Sequence, residues 1–258
     1  RPEEYPEIDL AEQGVTIKLE KKAFQTFVSQ TAFAASTKEQ RPILTAVNLQ
    51  ADNNALVATA TDSARLARKE IYFDESYSFS ANIPAKTLME VSKLIETENV
   101  ADMTLSVSET KVLFSFANTI VSSRLITGDY PQTKNIVPKT FNYFLEVNAQ
   151  EFISAMERVS LLLSEKENVV KLTMSDEAIE VSTKSSQVGS AVERLNVCQY
   201  NGDHLEVSFN AGYVIDAIKA CGSEDVTLAF LGEMKPFVIR NDQDNTQIQL
   251  VTPMRTYN

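Results

Sequence analysis

Hydrophobic and polar positions alternate along much of this chain, and in four stretches they recur every three or four residues. Alternation predicts strands over residues 15–19, 44–50, 56–61 and 67–72, then over 103–108, 112–116 and 119–126. Helical spacing predicts helices led by Phe24 and Phe152, the first running to Ala35 and the second to Leu163, with two more over 85–96 and 211–221. Short runs of Asp, Asn and Ser predict the turns between elements, including 52–54, 74–76 and 201–203.

This pattern occurs twice along the chain. Residues 17–19 fall on residues 145–147 at a shift of 128, and residues 83–85 fall on residues 209–211 at a shift of 126. Each copy reads as β-α-βββ-α-βββ, which predicts an α+β fold with two helices on one face of curved antiparallel sheets. We therefore expect two tandem domains, residues 1–138, with 1–13 as a leading linker, and residues 139–258.

The two ends of the first copy also match each other. Tyr130-Pro131 closes this copy, and Tyr5-Pro6 stands 125 residues earlier. The chain thus begins where a preceding copy would have ended, and its first residue is not Met. From this match we expect an upstream repeat to be missing from the sequence.

Composition narrows the class of protein. The 258 residues are 43% hydrophobic, which is enough for sizeable cores, and they contain no apolar run of membrane-spanning length. A formal net charge of −11 argues against a protein that coats nucleic acid electrostatically. Two cysteines, Cys198 and Cys221, make no disulfide framework, so we expect a reduced, cytoplasmic setting.

No catalytic constellation is evident. His204 is the only histidine and lies in a turn-like run, which leaves a Ser-His-Asp relay almost nowhere to form. The two cysteines lack zinc-site spacing, and the sequence has no glycine-rich phosphate loop. We therefore predict neither enzymatic activity nor a cofactor or metal. A hydrolase remains a hypothesis of lower rank, because it rests only on scattered Ser and Asp residues such as Asp62.

Basic residues lie at related positions on the predicted helices. Lys86 and Lys93 are seven apart on one helix, hence on one face, and Lys219 is on the counterpart helix of the second copy. The remaining members of this set are Lys21, Lys22 and Arg158. A solvated helix face explains such residues, and so does a weak contact with DNA phosphates that is blind to sequence.

Two further stretches favour a peptide site. The last strand should stop near Thr252, because Pro253 has no N–H to donate, and this would leave Met254 exposed. Residues 60–66 predict a strand that ends in a polar turn, after which Leu66 resumes the apolar pattern. A frayed terminus and a structural turn are the plain alternatives. The functional alternative is an apolar seam between the two domains, into which an extended peptide would dock.

Several segments spread over the whole chain resemble the bacterial β sliding clamp family, the processivity rings of replicative DNA polymerases. They are Arg41-Pro42-Ile43-Leu44, residues 60–66, Asp129-Tyr130-Pro131, residues 209–213 and Thr252-Pro253-Met254-Arg255. Chains of this family have three such units, and this one is similar to the second and third. The resemblance implies a non-enzymatic protein that encircles duplex DNA as a head-to-tail dimer.

The resemblance also implies a pocket for short peptides that carry a Gln and apolar anchors. Such peptides occur in DNA polymerases, the clamp loader and repair proteins. The matching positions are Leu44, Thr61, Arg65, Leu66, Pro131, Ile136, Asn210, Tyr213, Met234, Pro236, Leu250, Pro253, Met254 and Arg255. Ala64 stands where many relatives carry His, and Asn135 where some carry Arg, so the pocket rim is less polar or cationic here.

Ring closure in the family joins the first unit of one chain to the third unit of another. Leu161 and Leu162, at the end of the predicted helix led by Phe152, resemble half of that dimer interface. Without a first unit we expect no closed ring from this sequence. The alternative to a clamp is a peptide-binding scaffold that never encircles DNA, for which the lysines are ordinary surface.

Overall fold

The computed structural model describes residues 10–11, 13–163, 168–185, 189–196 and 198–255. These residues form two compact units. Unit 1 comprises the described parts of Arg1–Ala60 and Glu70–Tyr130, and unit 2 comprises Thr61–Lys69 with the described parts of Pro131–Asn258. The Tyr5-Pro6 match lies outside the described residues.

Unit 1 contains most of the first copy. Its elements are β1 (Val15–Glu20), α1 (Lys21–Thr31), β2 (Ala46–Thr61), β3 (Arg65–Pro84), α2 (Ala85–Glu96), β4 (Asp102–Val107), β5 (Lys111–Phe116) and β6 (Thr119–Arg124), of which Thr61 and Arg65–Lys69 belong to unit 2. Strands β1, β4, β5 and β6 form an antiparallel sheet in that order. Phe24 and Phe27 of α1 pack edge to face, 5.1 Å between ring centroids, and Phe114 of β5 joins them.

Unit 2 repeats this architecture. Its elements are β7 (Tyr143–Asn148), α3 (Ala149–Ser160), β8 (Val169–Met174), β9 (Ile179–Ser185), β10 (Gly189–Arg194), β11 (Cys198–Asn201), β12 (Leu205–Asn210), α4 (Ala211–Cys221), β13 (Asp225–Phe230), β14 (Phe237–Arg240) and β15 (Gln247–Val251). One sheet has the order β10-β9-β8-β12, and β11, β7, β13, β14 and β15 follow one another in a second. In the core of unit 2, Phe230 stacks on Phe237, and Phe209 packs against Phe237 with its ring tilted.

The helix starts of unit 2 have a clear local cause. Asn148 accepts the N–H of Glu151 at the start of α3, and Asn210 accepts the N–H of Tyr213 at the start of α4. Each asparagine thereby satisfies one of the backbone donors that a helix leaves open. Helix α4 ends at Cys221 and is followed by Gly222, whose φ of 64° suits glycine best. None of the described helices is long and apolar enough to cross a membrane.

The predicted α+β fold of two tandem antiparallel units is confirmed, whereas several element bounds were wrong. Residues 44–50 and 56–61 were predicted as two strands, but residues 46–61 form the single element β2, in which Asn53 keeps a turn-like φ of 55°, and residues 44 and 45 lie in a 3-10 helix. The predicted turn at 74–76 lies inside β3. Helix α1 ends at Thr31, whose hydroxyl donates to the carbonyl oxygen of Phe27, and α3 ends at Ser160. Both helix predictions were too long because apolar spacing continues past the last turn.

Candidate functional site

The segment Thr61–Lys69 lies in unit 2, where its residues 65–69 pair with β15. Leu66 lies opposite Leu250 and Arg65 opposite Val251 in an antiparallel ladder. Beyond the strand, the N–H of Thr252 donates to the carbonyl oxygen of Ala64 at 2.9 Å. The end of the chain therefore runs directly beside the polar turn that the sequence singled out.

An apolar cluster forms at this ladder. Leu250 lies opposite Leu66 on one side and opposite Val238 of β14 on the other, so three buried side chains come together. Three partly buried residues pack against them, namely Val137, Phe141 and Ile248. The result is a buried apolar cluster flanked by three partly buried apolar side chains, which suits an apolar anchor of a bound peptide.

The turn before this cluster is held by its own side chains. The Asp62 carboxylate accepts the backbone N–H groups of Ala64, at 2.9 Å, and Arg65, at 3.0 Å. The Thr61 hydroxyl donates to the carbonyl oxygen of Arg65 at 2.6 Å and accepts the N–H of Ser63. Ser63 has a φ of 81°, a conformation that such side-chain bonds stabilise in turns. These hydrogen bonds give the turn a defined conformation, and it forms the rim of the apolar cluster.

Arg65 occupies a fixed position at that rim. Its Nε lies 3.0 Å from Asp62 Oδ2, and one terminal nitrogen lies 2.7 Å from Asp216 Oδ2. The guanidinium lies 4.4 Å from the ring centroid of Tyr213, which is cation–π distance. Because the Asn210 cap sets the start of α4, it also sets where Tyr213 and Asp216 stand.

The tail behaves only partly as the sequence predicted. Strand β15 ends at Val251, before Pro253, as expected. Met254 is 40% exposed, also as expected. Its backbone is not free, because its N–H donates to the carbonyl oxygen of Ser208 at 2.7 Å. Pro253 is buried and Arg255 is exposed. A frayed terminus is therefore excluded up to Met254.

The other predicted pocket residues are placed less decisively. Ile136 and Met234 are exposed large apolar side chains of unit 2, and Pro131 and Pro236 are partly buried there. Leu44 is the exception, since it is buried in a short 3-10 helix of unit 1. All predicted pocket residues except Leu44 thus belong to unit 2.

Two of the predicted DNA-facing cations are engaged within the protein. Lys21 Nζ donates to the carbonyl oxygens of Glu96, at 3.1 Å, and Glu98, at 2.7 Å, which ties the start of α1 to the end of α2. Arg158 makes a two-point ion pair with Glu193 at 3.0 and 3.1 Å, and these hydrogen bonds raise the pKa of Arg158. The geometry favours structural roles for both residues.

The remaining cations are exposed. Lys22, Lys86 and Lys219 lie on the surfaces of α1, α2 and α4, and Lys93 makes an exposed ion pair with Glu90 at 3.1 Å. An exposed pair of this kind contributes little stability, so Lys93 is easily released to another anion.

The structure also shows the exposure of the residues that the sequence suggested for a dimer interface or for chemical reactivity. Leu161 is 82% exposed after the end of α3, whereas Leu162 is partly buried. His204 is exposed, 3.9 Å from Glu206. Cys221 is buried in the core, and burial raises its pKa to about 12, so its thiol is protonated at neutral pH. Among the described residues, no group of His, Cys, Asp and Glu is arranged to hold a metal ion.

Sequence reasoning missed several residues of the site. Asp216 stands three residues after Tyr213 on α4, hence on the same helix face, and that spacing was a usable signal. Val238 and Phe141 gave no such signal, because only the strand order β14-β15-β3 brings them to Leu66.

Both halves of the chain match models of known protein domains. Residues 18–132 match the family model of the DNA polymerase III beta subunit central domain, and residues 134–255 match that of its C-terminal domain. The beta sliding clamp of Bacillus subtilis is 39% identical over 259 residues, which cover 99% of this chain and 68% of that protein.

Solved structures agree with the sequence matches. The crystal structure of the Bacillus subtilis DNA polymerase sliding clamp superposes with a TM-score of 0.92 at 38% identity, covering 99% of this chain and 68% of that one. A Bartonella birtlesii sliding clamp bound to griselimycin has a TM-score of 0.91 at 27% identity, covering 98% and 69%. With both units matched in order and most of the chain covered, the protein belongs to the beta sliding clamp family of DNA polymerase III beta subunits.

Proposed function

We propose that this DNA sliding clamp recruits its partners through a peptide pocket at the Thr61–Lys69 segment, built on the Leu66–Leu250 pair. The observation that carries the proposal is the position of the segment that follows β15. Thr252 is hydrogen-bonded to Ala64, and two residues later Met254 exposes an unbranched apolar side chain. Methionine adapts to varied apolar partners, which suits a site used by several proteins.

The partners we propose are the replicative DNA polymerase, the clamp loader and repair proteins, each through a short peptide with Gln and Leu. The apolar cluster of Leu66, Val238 and Leu250 would take an apolar anchor. Asp62 and Asp216 already neutralise the charge of Arg65, so this side chain would border the peptide at a fixed position without attracting it by charge. We retain the other pocket residues named from the sequence, Leu44 among them.

Toward DNA we propose weak contacts that are blind to sequence. Lys22, Lys86 and Lys219 are exposed on helices, and Lys93 is held only by an exposed ion pair. Few cations on a chain of net charge −11 give salt-sensitive binding that permits sliding, whereas strong base contacts would stop it. Lys21 and Arg158, which are bonded within the protein, would contribute by stabilising its structure.

We further propose that the protein has no catalytic role and acts in the cytoplasm. The domain limits we propose are residues 1–138 and 139–258. Leu161, the most exposed large apolar side chain named above, would belong with Leu162 to the dimer interface of the full-length protein.

Titration with a peptide tests the pocket. A fluorescein-labelled peptide from a polymerase tail, carrying Gln and Leu, is titrated with wild-type protein and with Met254→Ala. We expect binding weaker by about 1–2 kcal/mol, the scale for truncating an interface anchor. Met89→Ala is the matched control, since Met89 is 38% exposed on α2 in unit 1. Equal affinity of all three proteins would remove Met254 from the site.

A second measurement separates the clamp from a peptide scaffold that never touches DNA. Anisotropy of a labelled duplex at low salt is compared for wild-type protein, a triple variant Lys22→Ala, Lys86→Ala and Lys219→Ala, and Lys184→Ala. The triple variant should lose most of the salt-dependent signal, while Lys184→Ala keeps it. If the triple variant binds DNA as wild type does, these lysines are ordinary surface.

A further inference from the structure

The stretch of residues 131–142, which precedes β7, belongs to unit 2. All of its residues are described, and none of them lies in a helix or strand. Two of its side chains, Val137 and Phe141, nevertheless pack against the apolar cluster around Leu66 and Leu250. This stretch therefore forms one wall of the proposed peptide pocket, and we call it the pocket wall.

Two lysines stand in the pocket wall. Lys139 lies midway between the two side chains that pack on the cluster, so its Cα is at most about 7.6 Å, two Cα–Cα steps, from the Cα of either one. Lys134 lies in a turn that is closed by a hydrogen bond from the N–H of Ile136 to the carbonyl oxygen of Thr133, at 3.1 Å. Each lysine carries its ammonium group on a flexible four-carbon stem, so both charges can reach the border of the cluster.

The charges of these two lysines are not used within the described part of the protein. Lys134 and Lys139 are exposed, and among the described residues neither makes an ion pair or a hydrogen bond. The pocket wall itself contains no acidic residue. The charge of Arg65, by contrast, is already taken up by two carboxylates. The pocket wall therefore brings two uncommitted positive charges to the apolar cluster, in a chain whose net charge is −11.

The cluster and its wall lie on the face of the sheet away from the helices of unit 2. Val251 belongs to the core that contains residues of α3 and α4, whereas Leu250, its neighbour on β15, belongs to the separate apolar cluster. Neighbouring residues of a strand point to opposite faces of the sheet, so Leu250 and the wall that packs on it face away from α3 and α4. Since we propose DNA contacts on the helices, this position favours a peptide and not DNA as the partner of the two lysines.

We propose that Lys134 and Lys139 determine peptide specificity at this pocket, by favouring partner segments that carry an aspartate or glutamate beside the apolar anchor. This inference rests on the peptide pocket proposed above and adds charge selectivity to it. The anchor would enter the apolar cluster, and the carboxylate would accept a hydrogen bond from an ammonium group of the wall. Because both lysines are exposed, their contribution is modest and is weakened by salt.

A pair of matched peptides tests this selectivity. We would titrate two fluorescein-labelled peptides that carry the same Gln and Leu residues and differ only in having Asp or Asn beside the Leu. Wild-type protein should bind the Asp peptide about fivefold more tightly at low salt. In the double variant with Lys134→Gln and Lys139→Gln, the ratio of the two affinities should fall to about one. Lys184→Gln removes an exposed lysine of β9 and should keep the wild-type ratio.

A further variant separates this inference from the pocket on which it rests. Met254→Ala should weaken the binding of both peptides and keep their ratio, because it removes an apolar contact and no charge. If wild-type protein binds neither peptide, the pocket itself is refuted and this inference with it. Thermal melts of the lysine variants should match wild type, since neither lysine is bonded to another described residue.

Three other outcomes would refute the charge selectivity while leaving the pocket in place. Equal affinity of wild-type protein for the two peptides would show that the wall does not sense a carboxylate. A wild-type ratio in the double variant, or a ratio lowered as far by Lys184→Gln, would assign the preference to other residues or to general electrostatics. Displacement of the Asp peptide by a short DNA duplex would assign the two lysines to a phosphate backbone.

Discussion

The Nζ of Lys69 lies 2.9 Å from Oδ2 of Asp244, and only 11% of the Lys69 side chain is exposed. The hydroxyl of Thr246 lies 2.6 Å from the same Nζ. Gln247 donates to Asp244 and to the carbonyl oxygen of Cys221. Burial alone would raise the pKa of Asp244, yet hydrogen bonds from Thr246 and Lys69 lower it. This network ties the Thr61–Lys69 segment to β15 at the end of their ladder.

Breaking this ion pair should destabilise unit 2. Lys69→Met leaves the partly buried Asp244 carboxylate, which is 27% exposed, without its charged partner, and we expect a loss of about 2 kcal/mol in urea unfolding at neutral pH. The loss should shrink as pH falls below the ordinary aspartate range, because the lowered pKa of Asp244 contributes stability only above it. Lys93→Met is the control and should cost under about 0.5 kcal/mol, since its pair with Glu90 is exposed. Equal losses in the two variants would contradict the structural role of the Lys69 pair.

The stacking of Arg65 on Tyr213 should be measurable by itself. A double-mutant cycle of Arg65→Gln and Tyr213→Leu, followed by urea unfolding, should give a coupling of about 0.5–1 kcal/mol. Arg65→Gln alone should cost more than Arg240→Gln, because among the described residues Arg240 forms an ion pair with Asp242 alone, whereas Arg65 joins two carboxylates and a ring. A coupling near zero would mean that the ring only supports the guanidinium sterically.

A single turn offers a stabilising substitution. Ala117, between β5 and β6, has a φ of 46°, a left-handed conformation that costs an alanine about 1 kcal/mol. Ala117→Gly should therefore raise the free energy of unfolding by roughly 0.5–1 kcal/mol. Ala55→Gly in β2, where φ is not positive, should lower it. A loss of stability in Ala117→Gly would show that this turn relaxes in solution.

Alkaline pH should destabilise the protein through buried groups. Burial raises the pKa of Cys221 to about 12, from 9.0 for a free thiol, and raises the pKa of Tyr200 to about 12 as well. The folded state favours the neutral forms, so their contribution is complete below pH 9 and is lost as pH rises toward 12. Melting temperatures measured from pH 8 to 11 should fall less steeply in Cys221→Ala than in Cys198→Ala, because Cys198 is less buried. Parallel curves for the two variants would refute this assignment.

Local patterns determined a large part of this protein. Periodicity predicted the second helix of each repeat at its observed bounds, Ala85–Glu96 and Ala211–Cys221. It could do so because the apolar residues on one helix face recur every three or four positions in the sequence. The repeat predicted the two similar units, and Pro253 predicted the end of β15, since each rests on the chemistry of neighbouring residues.

Tertiary structure alone decided the rest. Strand pairing placed Thr61–Lys69 in unit 2, and it brought Lys69 to Asp244, 175 residues away. Tertiary packing also brought Asp216 into an ion pair with Arg65, so the charge of Arg65 is neutralised within the protein. It likewise brought Lys21 to carbonyl oxygens at the end of α2. Hydrogen bonds between distant strands leave no periodic mark in the sequence, because many registers satisfy the same alternation and only the packed core selects one.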